Sequence, residues 1–531
     1  MDLASFDSIH RKPVMARNLI ATSQPLASQA GAAAFARGGN AIDAALAAAI
    51  TLTVVEPVMN GIGGDAFAIL WDGKQMHAMN GCGRAPAGWT LDRFKGLSSM
   101  PKQGWDSVTV PGQVAAWVDL SERFGALPFE DLFTDAIRHA MDGFPVSPVI
   151  AHQWHQATQT LSNEPGFTAF MPGGRAPKAG EIWRFADQAV TLKEIARTRG
   201  HSFYHGRLAL CIAEFAEQCG AALTAADLAA HQTEWVDPIS QGYGDVVLHE
   251  IPPNGKGIAA LIALGMLKHL PYEKTKPGSA ERAHLEIEVM RLAFADLYAH
   301  VGDPDTMEVS VESLLDENYL KQRASLVDLK RAQSHPAGQP GSGGTVYLCA
   351  ADEQGRMISY IQSNFKGFGS GVVVPGTGIS LHNRGMAYSL QPGHPNVVAP
   401  GKRPLHSIIP AFMTRNGKPL MAFGVMGGNM QAQGHLQVTL RYAVEGLNPQ
   451  AASDAPRWRI NDEGELIMEA EWPAAVIEQL RQMGHELKVQ PHNSIDFGSA
   501  QLIAQLPKQR GESVAYVGGS DTRRDGQVIG Y

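Results

Sequence analysis

Between Ala41 and Val54 the chain is apolar at every position except Asp43, Thr51 and Thr53. A helix of this composition offers no face to water, so it has to lie between other layers of structure. The apolar run Ala44 to Val55 is too short to cross a bilayer. An Ala-rich helix, Pro25 to Arg37, precedes it, and Gly38-Gly39-Asn40 reads as the stop between the two.

The strands concentrate further along. Before residue 344 the strand patterns are Asn18 to Thr22, Ala66 to Trp71, Val108 to Gly112 and Asp245 to Glu250. Helical patterns run Val114 to Phe124, Phe129 to Asp142, Ile258 to Lys268 and Ser279 to His300. After Thr345 strands dominate: Val346 to Ala351, Met357 to Ser363, Gly371 to Val374, Ile379 to Leu381, Ala411 to Thr414 and Leu420 to Val425. Turns such as Asp352-Glu353-Gln354-Gly355 and Asn416-Gly417-Lys418-Pro419 separate them at hairpin spacing. A helix, Met430 to Glu445, follows Gly427-Gly428. This order predicts an α+β chain of stacked sheets covered by helices. No internal repeat or low-complexity linker divides it.

The 531 residues are 44 % hydrophobic and 18 % charged, enough for a substantial core. The net charge of -8 comes without a basic tract, which argues against nucleic acid as the main partner. Cys82, Cys211, Cys219 and Cys349 show neither CxxC nor zinc-like spacing and read as free thiols of a reducing compartment. Met1 to Ala16 lacks the apolar core of a secretory signal, so a cytoplasmic location is expected. Asn60-Gly61-Ile62-Gly63-Gly64-Asp65 looks like a dinucleotide loop, but its glycines precede a strand instead of a helix, and a tight turn is the better reading. Pro252 to Gly257 lacks the glycine spacing and Ser/Thr of a phosphate loop. His152 and His155, three apart with no nearby carboxylate, read as a polar helix face; no metal site and no cofactor is expected.

Gly341-Ser342-Gly343-Gly344-Thr345 closes a polar, Pro- and Gly-containing stretch that begins near Lys330. Thr345 thus stands where an exposed connection meets a core strand. It reads either as strand filler or as an N-terminal nucleophile freed by a self-made cut at Gly344–Thr345. A threonine hydroxyl needs a base, and a freed α-amino group, with a pKa of about 7.7–8.0, supplies one. Glycine before it lets the scissile peptide adopt a strained conformation.

Further markers recur in order: Gly38-Gly39-Asn40-Ala41-Ile42-Asp43-Ala44-Ala45, Val110-Pro111-Gly112, Gly302-Asp303-Pro304-Asp305, Gly344-Thr345, Lys402-Arg403-Pro404-Leu405, Met426-Gly427-Gly428 and Ser520-Asp521-Thr522-Arg523-Arg524-Asp525-Gly526. With them the chain resembles the γ-glutamyltransferase (glutathione hydrolase) family of N-terminal-nucleophile hydrolases over nearly its whole length. The resemblance implies an αββα four-layer sandwich. It implies a proenzyme whose residues 1–344 and 345–531 become large and small subunits of one shared core, a heterodimer that can pair further. It implies Thr345 as nucleophile, Ser363 as its supporting hydroxyl, and Gly427 and Gly428 as oxyanion donors. The substrate would be a small amide, and the acceptor water or an amino acid; no membrane is involved.

The likeness fails where family members grip an α-amino acid. Their carboxylate-binding arginine falls at Cys82, with Arg84 two residues on. Their ammonium-binding aspartate falls at Ala387, a glutamine becomes Arg384, an asparagine becomes Phe365, and a Ser-Ser pair becomes His406-Ser407. These changes remove a negative charge and add positive ones, so the pocket is expected to prefer an anionic amide. Arg84, Arg384, His406 and Ser407 are the candidate substrate contacts. The family also contains an oxamate amidohydrolase, so hydrolysis of oxamate and of γ-glutamyl amides both stand as readings. A non-catalytic, uncleaved binding protein is the alternative from another class.

Overall fold

A computed structural model describes residues 11–333, 344–491, 494–507 and 513–531. Two seven-stranded sheets stack face to face. One runs, in spatial order, through Val14–Ala16, Tyr516–Ser520, Ser499–Gln505, Lys418–Met426, Ala411–Arg415, Val246–Glu250 and Ile239–Tyr243. The other runs through Gln527–Gly530, Leu19–Thr22, Gly344–Ala351, Met357–Phe365, Asp65–Trp71, Met76–Gly81 and Glu234–Val236. Strands from both sides of residue 344 interleave in each sheet. The strand that begins at Gly344 pairs on one edge with Leu19–Thr22, and its hairpin partner pairs with Asp65–Trp71.

The alternation of side chains along Gly344–Ala351 builds the layers. Val346, Leu348 and Ala350 face outward into a core shared with Ile42, Leu46 and Ile50. Tyr347, Cys349 and Ala351 face the other sheet and meet Phe412, Met421 and Phe423. The sheets approach closely at Gly424, where a Cβ would lie 2.5 Å from the Tyr347 ring. The helix Ala41–Val55 is buried along its entire length, between its sheet and the outer helices Pro25–Ala36 and Thr134–Asp142. Asn40 caps it, its side chain accepting from Ile42 and Asp43 N–H while Asp43 accepts from Asn40 N–H. Ile258–Leu267, Ala280–His300 and Met430–Ala443 cover the opposite sheet. The αββα sandwich expected from the resemblance is therefore the fold.

Two local expectations change. Phe129 to Asp142 splits into a 3₁₀ turn, Phe129–Phe133, and a helix, Thr134–Asp142. Val108 to Gly112 joins no sheet. It runs alongside Gly83 and Arg84, with Val110 N–H donating to Arg84 C=O at 3.0 Å. The stretch Lys330 to Gly341 falls largely outside the described residues, as do Ser342 and Gly343.

A buried charge cluster ties the C-terminal loop to the core. Asp521 accepts from Arg457 at 2.7 Å and Arg523 at 3.2 Å, and from the backbone N–H groups of Ala500 and Arg523. Burial opposes ionisation of Asp521, but the two guanidinium groups and the backbone donors outweigh it and hold its pKa well below the usual carboxylate range. A folded-state pKa below the unfolded value means that this stabilisation is complete above about pH 4 and is lost as pH falls further. Asp521→Asn should cost about 3–5 kcal/mol, because it leaves two buried cations short of a partner. Thermal melting at neutral pH should show the loss, and the difference from wild type should shrink on acidification.

Candidate active site

The hairpin of Gly344–Ala351 and Met357–Phe365 carries the first part of the site. Its register is regular from Ala351↔Met357 to Val346↔Gln362 and then shifts, so that Gly344 pairs with Phe365. Ser363 and Asn364 therefore lie opposite the single residue Thr345 in a bulge. Phe365 sits at φ 74°, a conformation rare for a bulky residue. Its N–H donates to Ser363 Oγ at 2.7 Å, which fixes that hydroxyl. Thr345 Oγ1 donates to Ser363 Oγ at 3.3 Å. Thr345 is 1 % exposed and Ser363 fully buried.

The second part comes from the other sheet. The strand Lys418–Met426 ends at Gly427 (φ 122°) and Gly428 (φ 63°), and the helix Met430–Ala443 begins directly after. Both glycines occupy backbone conformations that disfavour side chains. A Cβ on Gly427 would also lie 2.9 Å from Gly498 Cα. Gly498 follows Phe497, whose C=O accepts from Arg457 at 3.0 Å, so the Asp521 cluster braces this turn. Among the described residues neither glycine N–H has an acceptor. Two free N–H groups at a helix N-terminus favour developing negative charge. In the first turn of that helix, Gln431 Oε1 accepts from Ile409 N–H at 3.0 Å, which orients the amide so that Nε2 donates to Thr345 Oγ1 at 3.4 Å. Gln431 carried no signal in the sequence beyond its place after the glycine pair.

Positive charge gathers behind this centre. Arg384 is fully buried, with its guanidinium carbon 3.9 Å from the Phe365 ring centroid and Nη1 donating to Ser407 Oγ at 3.0 Å. Its Nε and Nη2 have no partner among the described residues. Burial pulls Arg384 down to about 10, which leaves it charged at neutral pH. Lys256, in the loop Pro252 to Gly257, donates to Asn429 Oδ1 at 2.9 Å and Tyr298 OH at 3.3 Å. Burial lowers its pKa to about 7.

Asp65 is the buried counter-charge. Its Oδ1 accepts from Gly83 and Gly112 N–H, both at 3.1 Å. Its Oδ2 lies 3.0 Å from His406 Nε2. Burial pushes Asp65 up to about 7 and His406 well below the usual histidine range. His406 is then a neutral ring that donates from Nε2, while Nδ1 accepts from Ile408 N–H at 3.4 Å. Cys82 adjoins this pair, donating to Gly83 C=O at 3.2 Å and accepting from Asn254 Nδ2 at 3.3 Å. Asp65, Cys82 and His406 bring ligand-type atoms together. Asp65 Oδ1 is taken by two backbone N–H groups, burial holds the Cys82 thiol in its protonated, weakly ligating form, and the buried Arg384 charge opposes a cation there.

Thr345, Ser363, Arg384, His406 and Ser407 thus belong to one buried region, with the half-buried Gly427 and the buried Gly428 at its edge, where the helix that carries Gln431 begins. Arg84 does not enter it. Its side chain is 38 % exposed, held at 3.2 Å by Glu234 and near Asp303 and Asp305 at 3.7 and 4.0 Å. Ala387 brings no charge to this region, and its C=O accepts from Asn396 Nδ2 at 2.6 Å. An open cleft of about 430 Å³ reaches Gly427 from outside and is lined by Lys102, Lys366, Arg459 and Arg524 against the single acid Asp496.

A model of the γ-glutamyltranspeptidase family matches residues 27–531. The chain belongs to this family. An oxamate amidohydrolase proenzyme of Klebsiella pneumoniae is 34 % identical, with 98 % of this chain and all of the relative aligned. A glutathione hydrolase-like proenzyme of Bacillus subtilis is 33 % identical, again over 98 % of this chain and all of the relative. The crystal structure of a cephalosporin acylase from Bacillus halodurans superposes with a TM-score of 0.93 at 44 % identity, covering 100 % of this chain and 99 % of that one. This γ-glutamyltranspeptidase-family chain is accordingly an N-terminal-nucleophile-type hydrolase or acylase.

Gln431→Leu should leave the fold intact and lower kcat. A lost hydrogen bond to the Thr345 hydroxyl is worth about 1–3 kcal/mol, or about 5- to 150-fold in rate if that hydroxyl reacts. Steady-state kinetics beside circular dichroism will measure both.

Proposed function

We propose that this protein is an autoprocessing amidohydrolase whose nucleophile is Thr345, and that its preferred acyl donor is a small amide bearing a carboxylate and no α-amino group. The observation that carries the proposal is Arg384: a buried, charged guanidinium with two unmatched nitrogens, one ring away from the Thr345–Ser363 pair. A buried cation short of partners is costly, and a substrate carboxylate removes that cost.

The chain first cuts between Gly344 and Thr345. The new α-amino group takes the proton from Thr345 Oγ1 as that oxygen attacks the amide carbonyl. Gly427 and Gly428 N–H groups receive the oxyanion, each contributing about 3–4 kcal/mol to lowering the barrier. The proton passes to the departing amine, and water then releases the acyl group from Thr345. Ser363 holds the hydroxyl in line, and the resulting segments, 1–344 and 345–531, stay together through their interleaved strands. Arg384, supported by Ser407, takes the carboxylate in preference to Arg84, whose charge neighbouring carboxylates already balance. His406 acts through Asp65, as part of the wall.

Oxamate has the chemistry such a pocket accepts, and an oxamate amidohydrolase is among the relatives. The cationic cleft at Gly427 favours a second reading, an amide whose departing amine is larger and also anionic.

Thr345→Ala should remain a single chain and be inactive, whereas wild type should separate on a denaturing gel into fragments 1–344 and 345–531. A variant that still cleaves at this bond would remove Thr345 as the nucleophile. Oxamate should be turned over with a higher kcat/KM than a γ-glutamyl anilide, and Arg384→Met should reduce the oxamate value about 5- to 150-fold, the range for a lost charged hydrogen bond. A clear preference for the γ-glutamyl compound would contradict the charge argument and leave the nucleophile standing.

A further inference from the structure

Far from Thr345 in the chain, His284 and Glu288 stand one turn apart on the helix Ala280–His300. His485 reaches the same point from the other segment. It follows the helix Ala474–Gln482, where Gly484 (φ 92°) ends the helix and His485 N–H returns to Leu480 C=O at 3.1 Å. One ligand atom from each of the three residues lies within 4.8 Å of the others. His284 and Glu288 are fully buried and His485 is 3 % exposed. We propose that His284, Glu288 and His485 form a binding site for a divalent transition metal of the zinc type, which staples residues 1–344 to residues 345–531.

The surroundings set up each ligand. His284 Nε2 lies 2.7 Å from Asp328 C=O and donates to it, which leaves the Nδ1 lone pair directed at His485 Nε2, 2.8 Å away. A backbone carbonyl on the far nitrogen is the usual way a metal-binding histidine is held in one tautomer. Gln333 N–H donates to Glu288 Oε2 at 3.1 Å and Arg291 lies 3.3 Å from Oε1, so the carboxylate has a fixed orientation. In the metal-free arrangement His485 Nε2–H donates to His284 Nδ1; to bind a metal through Nε2, neutral His485 carries that proton on Nδ1 instead, which has no partner among the described residues. Among the described residues Arg291 is the cation paired with Glu288.

Two nitrogens and one oxygen suit zinc, cobalt or nickel better than calcium or magnesium. His485 and Arg291 line an open cleft of about 820 Å³, which gives the ion a path inward and water a place as fourth ligand. The sequence offered little warning. His284 and Glu288 have helical metal spacing, but His485 lies two hundred residues away, and the sequence alone leads to the expectation of no metal site. The site is separate from the hydrolytic centre, so it stands or falls independently of the Thr345 assignment.

The test is titration of chelator-treated, full-length protein with Zn(II) against a chromophoric competitor, and with Co(II) by visible absorption. One equivalent per chain should bind, with a tetrahedral or five-coordinate cobalt spectrum, and Zn(II) should raise the melting temperature. His485→Gln and Glu288→Gln should each weaken binding at least tenfold and remove the zinc-dependent rise in melting temperature. Their retained amide hydrolysis and circular dichroism would show that they fold. Failure of the wild type to bind one equivalent, or equal binding by wild type and His485→Gln, would overturn the proposal.

Discussion

The pairing of Gly344–Ala351 between Leu19–Thr22 on one edge and Met357–Phe365 on the other governs the rest of the molecule. It places the Gly344–Thr345 bond at the end of a central strand, whose next residues are locked on both faces by the two halves of the core. Both sheets contain hydrogen-bonded strands from residues 11–333 and from residues 344–531, so a cut at this bond releases no edge and exposes no core. A chain with the same residues in two separable lobes would lose its second half on cleavage. Here the sheet geometry permits a new N-terminus without dissociation. The bulge opposite Thr345 then directs the Ser363 hydroxyl to it, away from the regular ladder.

Charge is the second constraint. Arg384, Lys256 and Asp65 are buried close to one another, with cations in excess and two guanidinium nitrogens unmatched. Such an arrangement is unfavourable in isolation. It is tolerated because Phe365 stacks on the guanidinium, Ser407 and Asn429 accept hydrogen bonds, and backbone N–H groups hold Asp65 in place. The Asp521 cluster does a different job: Asp521 and Glu469 balance Arg457 and Arg523, and through Arg457 and Phe497 they brace the Gly427–Gly428 turn.

Much of this was legible in the sequence where short-range patterns decide the structure. The apolar run after Asn40, the Asn416-Gly417 hairpin turn with φ of 52° and 70°, and the helix after Gly427-Gly428 all follow from local chemistry. Arg384 was visible as an added charge, but its burial was not. Asp65 looked like the end of a glycine turn, because the groups that give it meaning lie elsewhere in sequence, at Gly83, Gly112, Arg384 and His406. Val108 to Gly112 has strand composition but lies against Gly83, where a Cβ would overlap Val110 C=O at 1.4 Å. That contact holds it outside the ladder, and no periodicity encodes it. Arg84 is close in sequence to the position of the family's arginine, but the fold places it among Glu234, Asp303 and Asp305.

Trapping the acyl-enzyme probes the central claim most directly. Processed protein mixed with a slowly hydrolysed amide, quenched in acid and digested, is to be mapped by tandem mass spectrometry. The account predicts an added acyl mass on the peptide that begins at Thr345, on its side-chain oxygen. An adduct on Ser363 or on any other residue, or turnover with no peptide beginning at Thr345, would contradict it.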